Sequence, residues 1–182
     1  MKNYINNKEY MNLVNDIINN AEFKKLKGYK HHGDNRKDHS IRVSYYSFLL
    51  SKRLHLNSSS VAKAGLLHDF FFINNQELDF VTRTKVLFNH PKIALDNSNK
   101  YFSLTKMEKN IIRSHMFPIG LTLPKYKESI LVNLIDDYFS VYERILSVVK
   151  IINNKLRNYK KRLLFSSRWY YDKIIKFWRK LY

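Results

Sequence analysis

The chain has 182 residues, 45% of them hydrophobic, no cysteine, and 33 Lys or Arg against 15 Asp or Glu, a net charge of +18. Without thiols, a disulfide scaffold, a thiolate zinc finger and an iron-sulfur cluster are excluded, while the length fits one domain with a real core. The amino terminus, MKNYINNKEY, is polar and no run approaches the length of a membrane span, so a cytoplasmic location is the default expectation.

Four glycines, three prolines and no sustained period-two alternation predict an all-α fold. A first helix is expected from about Tyr4 to Lys24, with Met11, Leu13, Val14, Ile17 and Ile18 as its apolar stripe. A polar connection with Gly28 and Gly33 follows. Asp38 is the expected cap of a second helix that carries His39 on its first turn and turns Val43, Tyr46 and Leu50 to the core. The next helix, capped by Ser58, Ser59 or Ser60, brings Val61, Ala64 and Leu67 up to His68 and Asp69 near its carboxyl end.

The stretch from Phe70 to Asn89 lacks a single period and is expected to face substrate. Pro91 predicts a new helix just after His90, and Thr105 with Glu108 reads as a capping box for the helix that ends at His115. In the following helix, Leu131, Leu134, Ile135, Tyr138 and Tyr142 form the expected apolar face. Asp137 lies nearer that face than Asp136, which joins a polar stripe with Ser129, Asn133 and Ser140, so periodicity alone leaves the two aspartates open.

Histidine and aspartate recur at helix-sized intervals: 29 residues from His39 to His68, 21 from Asp69 to His90, 25 from His90 to His115 and 21 from His115 to Asp136. Imidazole and carboxylate donors suit Fe, Mn, Co, Zn or Mg. His31, His32 and His55 read as ordinary histidines, although His31 and His32 lie close enough to His39 in sequence to meet a substrate.

The segments DHSIRVSYYSFLLSKRL (38–54), AKAGLLHDFFF (62–72), NHPKIALDNSNKYF (89–102), IIRSHMFP (111–118) and LVNLIDDYF (131–139) resemble the HD-domain metal-dependent phosphohydrolases over roughly residues 30–140. The resemblance implies a compact helical bundle of the HD-domain type in residues 1–150. It implies a first divalent ion held by His39, His68, Asp69 and Asp136, and a second completed by His90 and His115 with Asp69 bridging; it also selects Asp136 over Asp137. The implied reaction is hydrolysis of a phosphoester, of a nucleotide or another small phosphorylated compound, by a metal-activated hydroxide. Arg42 and then Lys92 are candidates for meeting a phosphate oxygen. Phe70, Phe71 and Phe72 follow the His-Asp pair where HD-GYP enzymes carry Ile-Gly-Lys, and no GYP triplet occurs, which disfavours cyclic di-GMP. Two alternatives stand behind the hydrolase: a di-iron oxygenase of the HD-domain type, and a non-catalytic module binding a nucleotide or a membrane.

Residues 151–182 are expected to form a basic amphipathic helix. From Lys155 to Lys180 lie ten Lys or Arg against one acid, Asp172, and Tyr170, Ile174, Phe177, Trp178 and Leu181 share a face. Packing on the domain is the first reading of that helix, peripheral contact with an anionic membrane the second, and nucleic acid the third.

Overall fold

The computed structural model describes residues 4–31, 34–74 and 78–181, and within these the side chains of 31, 34, 164–175 and 177–181 fall outside the description. Contacts divide the chain into two units, Met1–Glu143 and Arg144–Tyr182.

The first unit is a helical bundle with one small antiparallel pair. In chain order come α1 (Lys8–Asn19), α2 (Ala21–Lys25), a 3-10 turn (Leu26–Gly28), β1 (Lys30–His31) and β2 (Asp34–Asn35). Helices α3 (Arg36–Arg53), α4 (Ser58–Leu67), α5 (Phe80–Tyr101) and α6 (Lys106–Ser114) follow, and then α7 (Lys127–Leu181), whose residues through Glu143 belong to this unit. The two strands pair Lys30 with Asn35 and His31 with Asp34, a hairpin that the absence of alternation did not announce.

Several helix ends differ from their expected places because asparagine takes the capping role. The expected helix from Tyr4 to Lys24 is broken at Asn20, whose side chain accepts from the amides of Glu22 and Phe23 and so starts α2. Asn35, not Asp38, caps α3: its Oδ1 accepts from the Asp38 amide at 2.9 Å while its Nδ2 donates to Asp38 Oδ2 at 2.7 Å. Asn57, not a serine, caps α4 by accepting from the Ser60 amide. The Thr105 and Glu108 capping box of α6 forms as expected, with both reciprocal bonds present.

The core gathers Tyr10, Phe23, Phe48, Leu66, Leu67, Phe70, Ile111 and Ile112. Helix α3 enters it with Val43, as expected, and also with a row of small residues: Ser40, Ser44, Ser47 and Ser51 are buried at helical spacing, whereas Tyr46, expected inside, is exposed and Leu50 is half-buried. The small serines let α4 approach. A methyl group placed on Gly65 would meet Ser44 Cα at 2.8 Å, and Ser44 Oγ donates to the Ala62 carbonyl at 2.6 Å. This close packing sets His39 on α3 beside the end of α4.

The segment expected to be irregular from Phe70 to Asn89 becomes helical at Phe80, where Asp79 caps α5 by accepting from the Thr82 amide. Pro91 does not open a helix; it lies inside α5. On α7 the expected apolar face is kept only in part, with Leu131 buried in the core and Ile135 half-buried against it. Leu134, Tyr138 and Tyr142 are exposed, and the inward stripe is Val132, Asp136, Phe139 and Glu143, with Ser129 and Asn133 beside it.

The second unit is the remainder of α7. Its described side chains from Arg144 to Leu163 are exposed except half-buried Ser147. The expected aromatic face of Tyr170, Ile174, Phe177, Trp178 and Leu181 falls on side chains outside the described residues, as does the contact expected of His31 and His32.

Candidate metal centre

Each histidine of the candidate set reaches the same pocket by a different local device. His68 caps the carboxyl end of α4 and His115 that of α6. The last carbonyls of a helix lack amide partners, and here the imidazoles use them: His68 Nδ1 donates to the Gly65 carbonyl at 2.8 Å and His115 Nδ1 to that of Ile112 at 2.8 Å. His90 lies inside α5, away from the helix end at which it was expected. Pro91 has no N–H for the Leu87 carbonyl four residues back, and His90 Nδ1 donates to that carbonyl instead, at 2.9 Å. His39, on the first turns of α3, has its Nδ1 3.1 Å from both carboxylate oxygens of Glu143.

With Nδ1 so engaged, every Nε2 turns inward. His39 Nε2 lies 2.9 Å from Asp136 Oδ1, and His68 Nε2 is 3.4 Å from the same oxygen. Asp69 Oδ1 lies 3.4 Å from His90 Nε2 and 3.7 Å from His115 Nε2, while its Oδ2 is 4.0 Å from His68 Nε2. His39, His68 and Asp136 thus form one buried group able to hold a metal ion, and Asp69, His90 and His115 form another. Asp69 stands between the two with one oxygen toward each.

Two features of the donor set fit cations. His68 Nε2 is buried and makes no hydrogen bond among the described residues. His90 Nε2 and His115 Nε2 face each other at 2.9 Å although each Nδ1 is turned to a carbonyl acceptor, so the inward nitrogen of either ring is a lone pair whenever that ring is neutral. A cation between such atoms turns a repulsive contact into ligation.

The electrostatics split the histidines into two kinds. Burial alone would lower the pKa of His39, but the Asp136 and Glu143 carboxylates raise it to about 10. His68 is likewise raised, Asp136 and Asp69 overcoming burial. His115 is lowered to about 3 by burial and by His90 and His68 beside it, which keeps its ring neutral. Asp136, which burial would raise, is held well below the usual carboxylate range by His68 and His39. The carboxylates therefore call for positive charge in the pocket, supplied by protons on His39 and His68 or by metal ions in their place.

Asp136 faces the site and Asp137 does not: Asp136 is buried, whereas Asp137 is exposed and its pKa is raised by partial burial and by Asp136. Arg42 is buried, and its Nε and Nη2 lie 2.8 and 2.5 Å from Glu143 Oε1, so its charge faces that carboxylate where a phosphate was expected. Lys92 is exposed and lies about 200° around α5 from His90, outside the group.

Three residues absent from the sequence-based site surround it. Glu143 lies seven positions after Asp136, two turns along the same face. Asn133 holds the turn after α6 by donating to the carbonyls of His115 and Phe117 at 2.6 and 2.7 Å. Arg36, fully buried, donates to the carbonyls of Phe71 and Ile73 and lies over the Phe71 ring at 3.6 Å, while Phe71 packs on His90. Only helical spacing from Asp136 could have pointed to Glu143.

A profile of the HD domain matches residues 36–140. No curated protein and no solved structure matches the chain.

Proposed function

Because the chain belongs to the HD domain family, we propose that it is a metal-dependent phosphohydrolase acting on a small phosphoester, with a nucleoside monophosphate as the economical substrate class. The observation that carries this reading is the inward convergence of four Nε2 atoms and two carboxylates from five stretches of chain. His39, His68 and Asp136 would hold one divalent ion and Asp69, His90 and His115 the other. Bound there, the pair of ions would supply an activated water and neutralise charge on the phosphate oxygens.

The remaining work belongs to the protein. Glu143 accepts from His39 Nδ1 and keeps its Nε2 on Asp136, and Arg42 fixes Glu143 from the other side. Arg42 is therefore a positioning residue, acting through Glu143. Arg36 ties down the 71–73 backbone, and Phe71 covers one side of His90, which limits water there.

Metal analysis of the purified chain, followed by a phosphoester panel with added Mn, Co, Mg or Fe, tests the proposal. Phosphate release is expected, together with loss of metal and turnover in His68→Ala and Asp69→Ala at unchanged helicity. Full activity in either variant refutes the assignment, and iron-dependent oxygen uptake without phosphate release would mark the oxygenase alternative.

A further inference from the structure

Along the second unit, Ile145, Val149, Ile152, Leu156, Tyr159 and Leu163 recur at intervals of four, three, four, three and four residues. On a helix this spacing forms one stripe, and all six side chains are exposed, each by 45% or more. Between Arg144 and Leu163 lie seven basic residues and no acidic one. By helical geometry Arg144, Lys155 and Arg162 border one side of the stripe and Lys160 and Arg157 the other, while Lys150 and Lys161 turn from that side toward the back. Asn154 and Asn158 fall on the back.

We propose that this face of residues 144–163 docks on an anionic lipid surface, with the helix lying in the plane of the interface. An apolar stripe flanked by cations matches both layers of such a surface: aliphatic side chains enter the acyl boundary and flanking Lys and Arg side chains reach the headgroups. No helix among the described residues is long and apolar enough to cross a membrane, which leaves the in-plane arrangement.

Charge decides against the other occupants. The stripe has heptad spacing, but a second copy would set Lys155, Lys160 and Arg162 against the same residues in either orientation, with like charges at the positions that select partners. An acidic partner helix would pair those three and leave Lys150, Arg157 and Lys161 beyond its reach. The field of a charged plane extends about a Debye length, roughly 8 to 10 Å, and acts on all seven. Nucleic acid would engage the cations and leave five aliphatic side chains in water, since only Tyr159 offers a ring for base stacking.

The test is co-sedimentation of the full chain with phosphatidylcholine vesicles, with and without phosphatidylglycerol. Binding only to the anionic vesicles is expected, weakened by salt and reduced at least about tenfold in Ile152→Asp/Leu156→Asp. Each basic side chain near the surface is worth about fivefold in partitioning, so Lys150→Gln/Arg157→Gln should reduce binding about 25-fold. All four positions are exposed, and circular dichroism checks that the variants keep their helix content. Failure to pellet, equal binding to neutral vesicles, or unchanged binding of the stripe variant overturns the proposal. A dimer in sedimentation velocity that the stripe variant abolishes, without vesicle binding, assigns the face to a second copy. RNA binding that persists in the stripe variant, again without vesicle binding, assigns the cations to nucleic acid.

Discussion

Asp136 and Asp137 share a side-chain chemistry and differ in one hundred degrees of helix. The rotation separates a carboxylate 2.9 Å from His39 Nε2 from an exposed one. Asp136→Asn is expected to abolish metal retention in the purified protein while Asp137→Asn leaves it unchanged, a contrast that metal analysis reads directly. Glu143 poses a subtler case. Its carboxylate meets His39 Nδ1 from behind, so Glu143→Gln should preserve the fold and weaken metal binding by about 10- to 100-fold, measured by competition with a chelating dye. The six candidate ligands are legible in the sequence through the resemblance of the ordered His, His-Asp, His, His, Asp series to the HD-domain family, which also chooses Asp136 where periodicity leaves two aspartates open. Glu143 is not, because a carboxylate that holds a histidine from behind looks like any surface acid until α7 is placed beside α3.

Elements were less legible than residues wherever burial depends on smallness. The hydrophobic pattern of α3 points to Val43, Tyr46 and Leu50; Val43 is buried, but Tyr46 is exposed and the helix buries its serines as well, since α4 comes close only where side chains are short. Gly65→Ala is therefore expected to destabilise the first unit by about 1 to 3 kcal/mol, because the new methyl meets Ser44 backbone, which cannot rotate aside. Chemical denaturation measures that loss. The same logic explains α7. Leu134, Tyr138 and Tyr142 of its expected apolar face are exposed while Leu131 and Ile135 turn inward, and the inner face carries Asp136 with Ser129 and Asn133, the small polar stripe that helical spacing marks out. Pro91 misled for a related reason: a missing amide usually marks a helix start, but inside α5 the acceptor it releases is taken up by His90.

At the scale of the whole molecule, the buried titratable groups give the metal-free protein a stability optimum. His39 has a folded pKa of about 10 against an ordinary 6.5, so its contribution is complete below 6.5 and is lost as pH rises through 10. His115, lowered to about 3, contributes above 6.5 and loses that contribution as pH falls toward 3, and depressed Asp136 adds a loss below its usual 3.8. The thermal midpoint of chelator-treated protein should peak near pH 6.5 and fall on both sides, whereas an unchanging midpoint from pH 4 to 9 would contradict the charge arrangement. Added divalent metal should raise the midpoint, most of all above pH 6.5, where His39 gives up its proton more readily. The arrangement of the four imidazoles also limits how the pocket can respond to a cation. Since Nδ1 of each ring is committed to a scaffold carbonyl or to Glu143, no ring can flip to offer its other nitrogen without breaking a buried bond. Exchange at this centre is thus a traffic of ions and protons past stationary rings, and loading it requires little rearrangement of the helices that carry them.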